Sequence, residues 1–134
     1  MKNTFTKAER LCSQTSIDWL FDGKGEAFSA FPLRVVYKSV PLTEGEAVLP
    51  KLLISVPKKR FHHAVDRNHA KRLVREAYRK HKQAFVECAA RQHLAVTLAF
   101  IYIGGEMATA DEIERRVATA LGRMVKALDH EKAD

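Results

Sequence analysis

The chain predicts an α+β fold, a small α/β sandwich of order α-β-β-(β)-α-β-α with its helices packed on one central sheet. Three observations predict it. Two stretches rich in β-branched and aromatic residues, 33–40 and 51–56, precede a strongly helical segment that begins near Asp66. A more apolar run at 94–103 follows that segment, and a capped amphipathic helix closes the chain. Strands and helices thus interleave over a short length, and layering helices on a sheet buries the apolar side of both. With 134 residues, the chain is expected to form one domain, 1–134, large enough to bury a core without disulfides or metals.

Residues 16–22, SIDWLFD, read as a short helix that Thr15 or Ser16 could cap and Gly23 could end, with Ile17, Leu20 and Phe21 on one face. In the strand at 33–40, Leu33, Val35, Tyr37 and Ser39 point one way, and Arg34, Val36, Lys38 and Val40 the other. PLTEGEAVLP at 41–50 is a polar connection, short enough to suggest antiparallel pairing with the strand KLLISV at 51–56. Pro57 stops that strand. LAVTLAFIYI at 94–103 reads as a central strand, broken by Gly104-Gly105. Thr109-Ala-Asp-Glu112 is a capping box. The helix it opens carries Ile113, Val117, Leu121, Met124, Val125 and Leu128 at helical spacing, and the tail 130–134 is expected to fray.

The formal charge is +7, and its location says more than its size. Residues 58–82 hold ten Lys and Arg against two acids, a net +8. The remainder holds 13 basic and 14 acidic residues, a net −1. Such a localised excess points to a polyanionic partner. The two cysteines, Cys12 and Cys88, form no CxxC pair and suit reduced thiols. MKNTFTKAER lacks the apolar core of a secretion signal and no run is long enough to span a bilayer, so a cytoplasmic location without membrane contact is expected.

Placed on a helix at roughly 100° per residue, residues 66–88 sort into two sides. Ala70, Leu73, Val74, Ala77, Ala84 and Cys88 form an apolar stripe flanked by Phe85. Arg67, Asn68, Lys71, Arg75, Arg79 and Lys82 form a cationic face with Arg72 at its edge, and Lys58-Lys59-Arg60 extend it. A charge run is commonly just a solvated face. Here acids at i±4 are nearly absent, the charge spreads beyond one element, and Arg, whose planar fork suits phosphate, dominates. Nucleic-acid contact is therefore the expectation, although electrostatics alone fits RNA, DNA or an acidic protein. A DNA regulator would need a dimer or a second docking element, and no zipper heptads or helix-turn-helix precede the basic helix. A ribosomal-type RNA-binding module that confers no cleavage is the nearer alternative.

Ala64-Val-Asp-Arg-Asn-His-Ala-Lys-Arg-Leu-Val-Arg-Glu-Ala-Tyr-Arg79 resembles the signature AV-x-RN-x-x-KR-x-x-RE of the bacterial ribonuclease P protein subunit. Ser55-Val-Pro-Lys-Lys59 resembles the strand end that precedes the signature in that family, and Arg10-Leu11, Phe21 and Gly23 match its N-terminal helix region. The resemblance runs from Thr6 to Leu128, strongest over 54–79 and only topological after 90. It implies a ribosomal-protein-S5-like sandwich with a left-handed βαβ crossover. It also implies the role of subunit in a ribonucleoprotein endonuclease that removes the 5′ leader from precursor tRNA. The implied partners are the catalytic RNA subunit and precursor tRNA including its leader, with no obligate protein partner. The implied Mg²⁺ belongs to the RNA subunit, and none is expected to bind the protein stably. Arg67, Asn68, Lys71, Arg72 and Arg75 carry over as RNA contacts, with Lys58 and Lys59 flanking. Phe21 and Tyr37 match aromatic positions of a leader cleft between the basic helix and the sheet. Two departures stand out. Arg60-Phe-His-His63 is one residue longer than the usual link and puts Phe61 where the family has Gly, and Ile17 stands where the family has an aromatic.

No catalytic or metal residues are expected in the chain itself. His62, His63, His69, His81 and His93, even with Cys88 five residues before His93, do not converge at ligand spacing. Acids near the basic patch are too few for a nuclease metal pair. Glu76 is expected to pair with a neighbouring Arg or Lys, and Asp66 to sit near the helix N-terminus.

Overall fold

A computed structural model describes residues 7–133 apart from Cys12, Glu44, Glu46 and Ala47, with side chains over 8–129. Thr6 and Cys12 of the sequence reading, and three residues of the 41–50 connection, therefore lie outside the described residues. A 3₁₀ turn at Lys7–Glu9 leads into α1 (Gln14–Leu20), β1 (Glu26–Ala30), β2 (Leu33–Pro41) and β3 (Lys51–Ser55). Then come α2 (Ala64–His81), α3 (Gln83–Arg91), β4 (Leu94–Tyr102) and α4 (Ala110–Ala133). The backbone of α4 runs to Ala133, and Asp134 lies outside the described residues.

The four strands form one sheet in the order β1-β2-β4-β3. β4 lies between β2 and β3, antiparallel to the first and parallel to the second. The expected antiparallel pairing of β2 with β3 is therefore wrong. The most apolar strand takes the centre, and the α2–α3 crossover lets β3 run parallel to it. β1, which pairs antiparallel with β2, has no counterpart in the sequence reading. Only Phe28 and Ala30 of its five residues pack towards the main core, too weak an alternation to stand out.

Alternation in β2 is as expected. Leu33, Val35 and Tyr37 enter the main core with Leu98, Phe100 and Tyr102 of β4, under Val74 and Ala77 of α2 and Ile113, Val117 and Leu121 of α4. The other sheet face carries Val36, Leu53 and Ala99, on which Leu11, Ile17 and Leu20 pack. The helices thus lie on both faces, α1 alone on the second. Ser13, not Thr15 or Ser16, caps α1 by accepting from the Ser16 N–H at 3.4 Å. The Thr109 hydroxyl accepts from the Glu112 N–H at 3.1 Å, as its capping box requires.

The helix expected over 66–88 is two helices. α2 begins at Ala64, and Lys82 separates it from α3. Helical phase is reset there, so Ala84 is exposed while Phe85, Val86, Cys88 and Ala89 are buried. Lys82 is itself buried and donates to Glu9 at 2.6 Å, with the two side chains 9% and 1% exposed. It does not belong to the cationic face. The pair fastens the N-terminal segment to the α2–α3 junction, where Leu11 N–H donates to Leu52 O at 3.0 Å and Arg10 bridges Leu52 alongside β3.

Candidate nucleic-acid interface

α2 holds its cations outward because its inward face is anchored by Ala70, Val74, Ala77 and Tyr78. Val65, Asn68, His69, Lys71, Arg72 and Arg75 line an open hollow of about 460 Å³. Lys71 and Arg75 also face a second hollow towards β3, with Arg10, Leu11, Leu52, Leu53 and Ile54. Lys58 and Lys59 are exposed just before α2. Arg60 is half-buried with its Nε shielded, so less of its charge faces outward.

The cations along α2 divide at Glu76. Arg79 pairs with Glu76 at 3.0 Å, which holds the Glu76 carboxyl below its usual range and raises the Arg79 guanidinium. Lys80 and His81 both reach Glu114 of α4, at 4.0 and 3.0 Å. Among the described residues Lys58, Lys59, Lys71, Arg72 and Arg75 enter no ion pair. The expected pairing of Glu76 is met. Its consequence is that Arg79 presents a compensated charge, while the earlier cations present theirs in full.

Arg67 has a different job from its neighbours. Its guanidinium donates to Phe61 O at 2.9 Å and His62 O at 2.8 Å. Phe61 in turn packs edge-on against Tyr102, with ring centroids 5.3 Å apart. The longer link thus folds back onto the core through an aromatic, and Arg67 pins its carbonyls. Arg67→Ala is expected to speed amide exchange over residues 60–63 as well as to weaken RNA binding. Unchanged exchange there would separate Arg67 from the link.

The two aromatic candidates part company. Tyr37 is 6% exposed and meets Phe28 edge-on inside the main core, with centroids 6.3 Å apart. The strand alternation turns its ring to the helix-covered face. Phe21 is 41% exposed at the end of α1, over the opposite face. Trp19 of α1, 39% exposed, was not singled out by sequence, since a lone aromatic on a short helix reads as core. Arg10, part of the N-terminal resemblance, bridges Leu52 beside β3 and lines a hollow with Lys71 and Arg75.

Among the described residues no three His, Cys, Asp or Glu side chains converge to hold a metal ion, and no helix is long and apolar enough to cross a membrane. Cys88 instead donates to Asp129 at 3.4 Å, its thiol pushed up chiefly by burial.

The family model described as Ribonuclease P matches residues 5–125. A ribonuclease P protein component of Porphyromonas gingivalis is 40% identical over 119 residues, covering 89% of this chain and 85% of that protein. One from Chlorobaculum tepidum is 32% identical over 104 residues, covering 75% and 68%. The fold matches a Staphylococcus aureus RNase P protein structure with a TM-score of 0.67 at 23% identity, over 88% of this chain and 96% of that one. The family match spans all four strands, α2 and the link before it, so the chain belongs to the ribonuclease P protein family.

Proposed function

We propose that the chain binds the catalytic RNA of ribonuclease P through α2 and the preceding link, and assists that RNA in removing the 5′ leader from precursor tRNA. The observation that carries this reading is the set of cations that enter no ion pair among the described residues, Lys71, Arg72 and Arg75 on the outward side of one anchored helix and Lys58 and Lys59 in the link before it. Their charge is available to offset phosphate repulsion between the catalytic RNA and its substrate. Asn68, between Arg67 and Lys71, adds a neutral donor to the same hollow. Arg60 in the link, Arg67 holding the link's carbonyls from α2, and Arg79 against Glu76 take supporting places.

Chemistry at the scissile phosphate is assigned to the RNA subunit and its Mg²⁺. Among the described residues no three His, Cys, Asp or Glu side chains converge to hold such an ion. A cytoplasmic site of action goes with this reading, since precursor tRNA is processed where it is made.

The test is reconstitution with the cognate RNA subunit and leader-bearing precursor tRNA at low Mg²⁺. Faster cleavage and tighter substrate binding than with RNA alone are expected. RNA binding without any gain in cleavage would favour the ribosomal-type module instead.

A further inference from the structure

α4 carries a second concentration of positive charge, which the average over the chain hides. Its stretch 115–126, RRVATALGRMVK, holds Arg115, Arg116, Arg123 and Lys126 and no acid. All four cations are exposed. Arg115 pairs with Asp111 at 3.7 Å, while Arg116, Arg123 and Lys126 enter no ion pair among the described residues. The Arg123 guanidinium lies 4.3 Å from the centroid of Phe28 on β1, which seats its charge over the edge of the sheet. Arg116 and Arg123 stand two turns apart, about 10.5 Å along the axis. Thr119 and Gly122, exposed and small, lie between them, so one broad polyanion can reach all three cations.

This charge is separate from that of α2. α2 packs beside β3 and α4 beside β1, the two edges of the sheet. Where the helices meet, Glu114 of α4 takes Lys80 and His81 of α2. A compensated seam therefore divides two cationic flanks, which look towards opposite edges. The plain alternative is a solvated helix whose cations suit the negative end of its dipole. Lys126 fits that account, but Arg116 does not, since it stands in the second turn of α4.

Among the described residues, the large apolar side chains that are exposed all lie between residues 19 and 65. The α4 face thus offers neither the apolar centre of a protein interface nor a ring on which an unpaired base could stack. It offers donors, mostly Arg, whose fork matches phosphate oxygens. Helical RNA presents such phosphates with its bases stacked inside. Paired substrate is a poor occupant, because mature tRNA keeps its paired body and a grip on it would retain the product.

We propose that the outer face of α4 is a second RNA site, which takes the backbone of a further helical segment of the catalytic RNA without regard to sequence. One chain then holds two segments of that RNA, one on each flank of its helical layer. This rests on the proposed function above, which gives α2 to the catalytic RNA.

The test replaces Arg116, Arg123 and Lys126 together with Gln and measures binding of the protein to the catalytic RNA against salt. The log–log slope should fall by about 2–3, at roughly 0.9 for each lost contact with helical RNA. Affinity of the reconstituted holoenzyme for mature tRNA should stay unchanged. Arg116→Lys with Arg123→Lys keeps the charge and should keep the slope. With a short RNA duplex of arbitrary sequence at low salt, native mass spectrometry should find two duplexes on the unaltered protein and one on the Gln variant. An unchanged slope in the Gln variant, where replacing Lys71 and Arg75 does lower it, overturns the α4 site alone and leaves a solvated face. A loss confined to tRNA binding, or an equal loss in the Lys variant, also overturns it. If neither set of replacements moves the slope, the underlying reading falls with it.

Discussion

Lys82→Ala should lower the unfolding free energy by about 3–5 kcal/mol, because it strands the Glu9 carboxylate in the interior without its cation. The expectation follows from burial on both sides of the pair rather than from its charge alone. Taking two ions out of water is costly, and their attraction at 2.6 Å offsets that cost only while both remain. Replacing both, as in Glu9→Leu with Lys82→Met, should restore much of the stability. Urea denaturation of the two single variants and the double variant measures this. A double variant as unstable as the sum of the singles would mean that the ion pair is not the source of the effect. The single variants should also bind RNA less well, since Arg10 is held beside Lys71 and Arg75 by the segment that Glu9 anchors.

The second large effect concerns the outward cations. Replacing Lys71 and Arg75 together with Ala should reduce the log–log salt slope of RNA binding by about 1.4–1.8, at roughly 0.7–0.9 for each lost phosphate contact. Arg79→Ala, on the same helix and with the same formal charge change, should alter the slope by less than half as much as Arg75→Ala. Arg79 already spends its charge on Glu76, whereas Arg75 faces two open hollows. Equal slopes for the Arg75 and Arg79 variants would mean that pairing within the protein does not decide which cations meet RNA.

Much of this surface was legible before any coordinates. The outward set from Lys58 to Arg75 follows from helical spacing and from the scarcity of acids near it in sequence. The capping box at Thr109, the alternation of β2 and the central place of residues 94–102 were likewise local patterns. What failed was non-local. Lys82 looked like another face cation because its partner, Glu9, lies 73 residues away. A short connection makes β3 look like the antiparallel partner of β2, while the actual neighbour of both, β4, begins 39 residues after the end of β3. Tyr37 is matched to a cleft by the resemblance alone, while the alternation of β2 sets it beside Leu33 and Val35 in the core. The link was legible as unusual through Phe61, but not the reason, which is a contact with Tyr102 on β4.

The strand order also has a consequence for how the protein emerges from the ribosome. β4 is the last strand to be synthesised, yet it is the one to which both β2 and β3 are hydrogen-bonded. Until residue 102 has left the exit tunnel, the β1–β2 hairpin and β3 share no backbone ladder, and α2 has only an incomplete floor. The cationic helix is thus translated before the strand that completes its floor, and its outward cations gain a fixed orientation only once β4 has emerged to join β2 to β3.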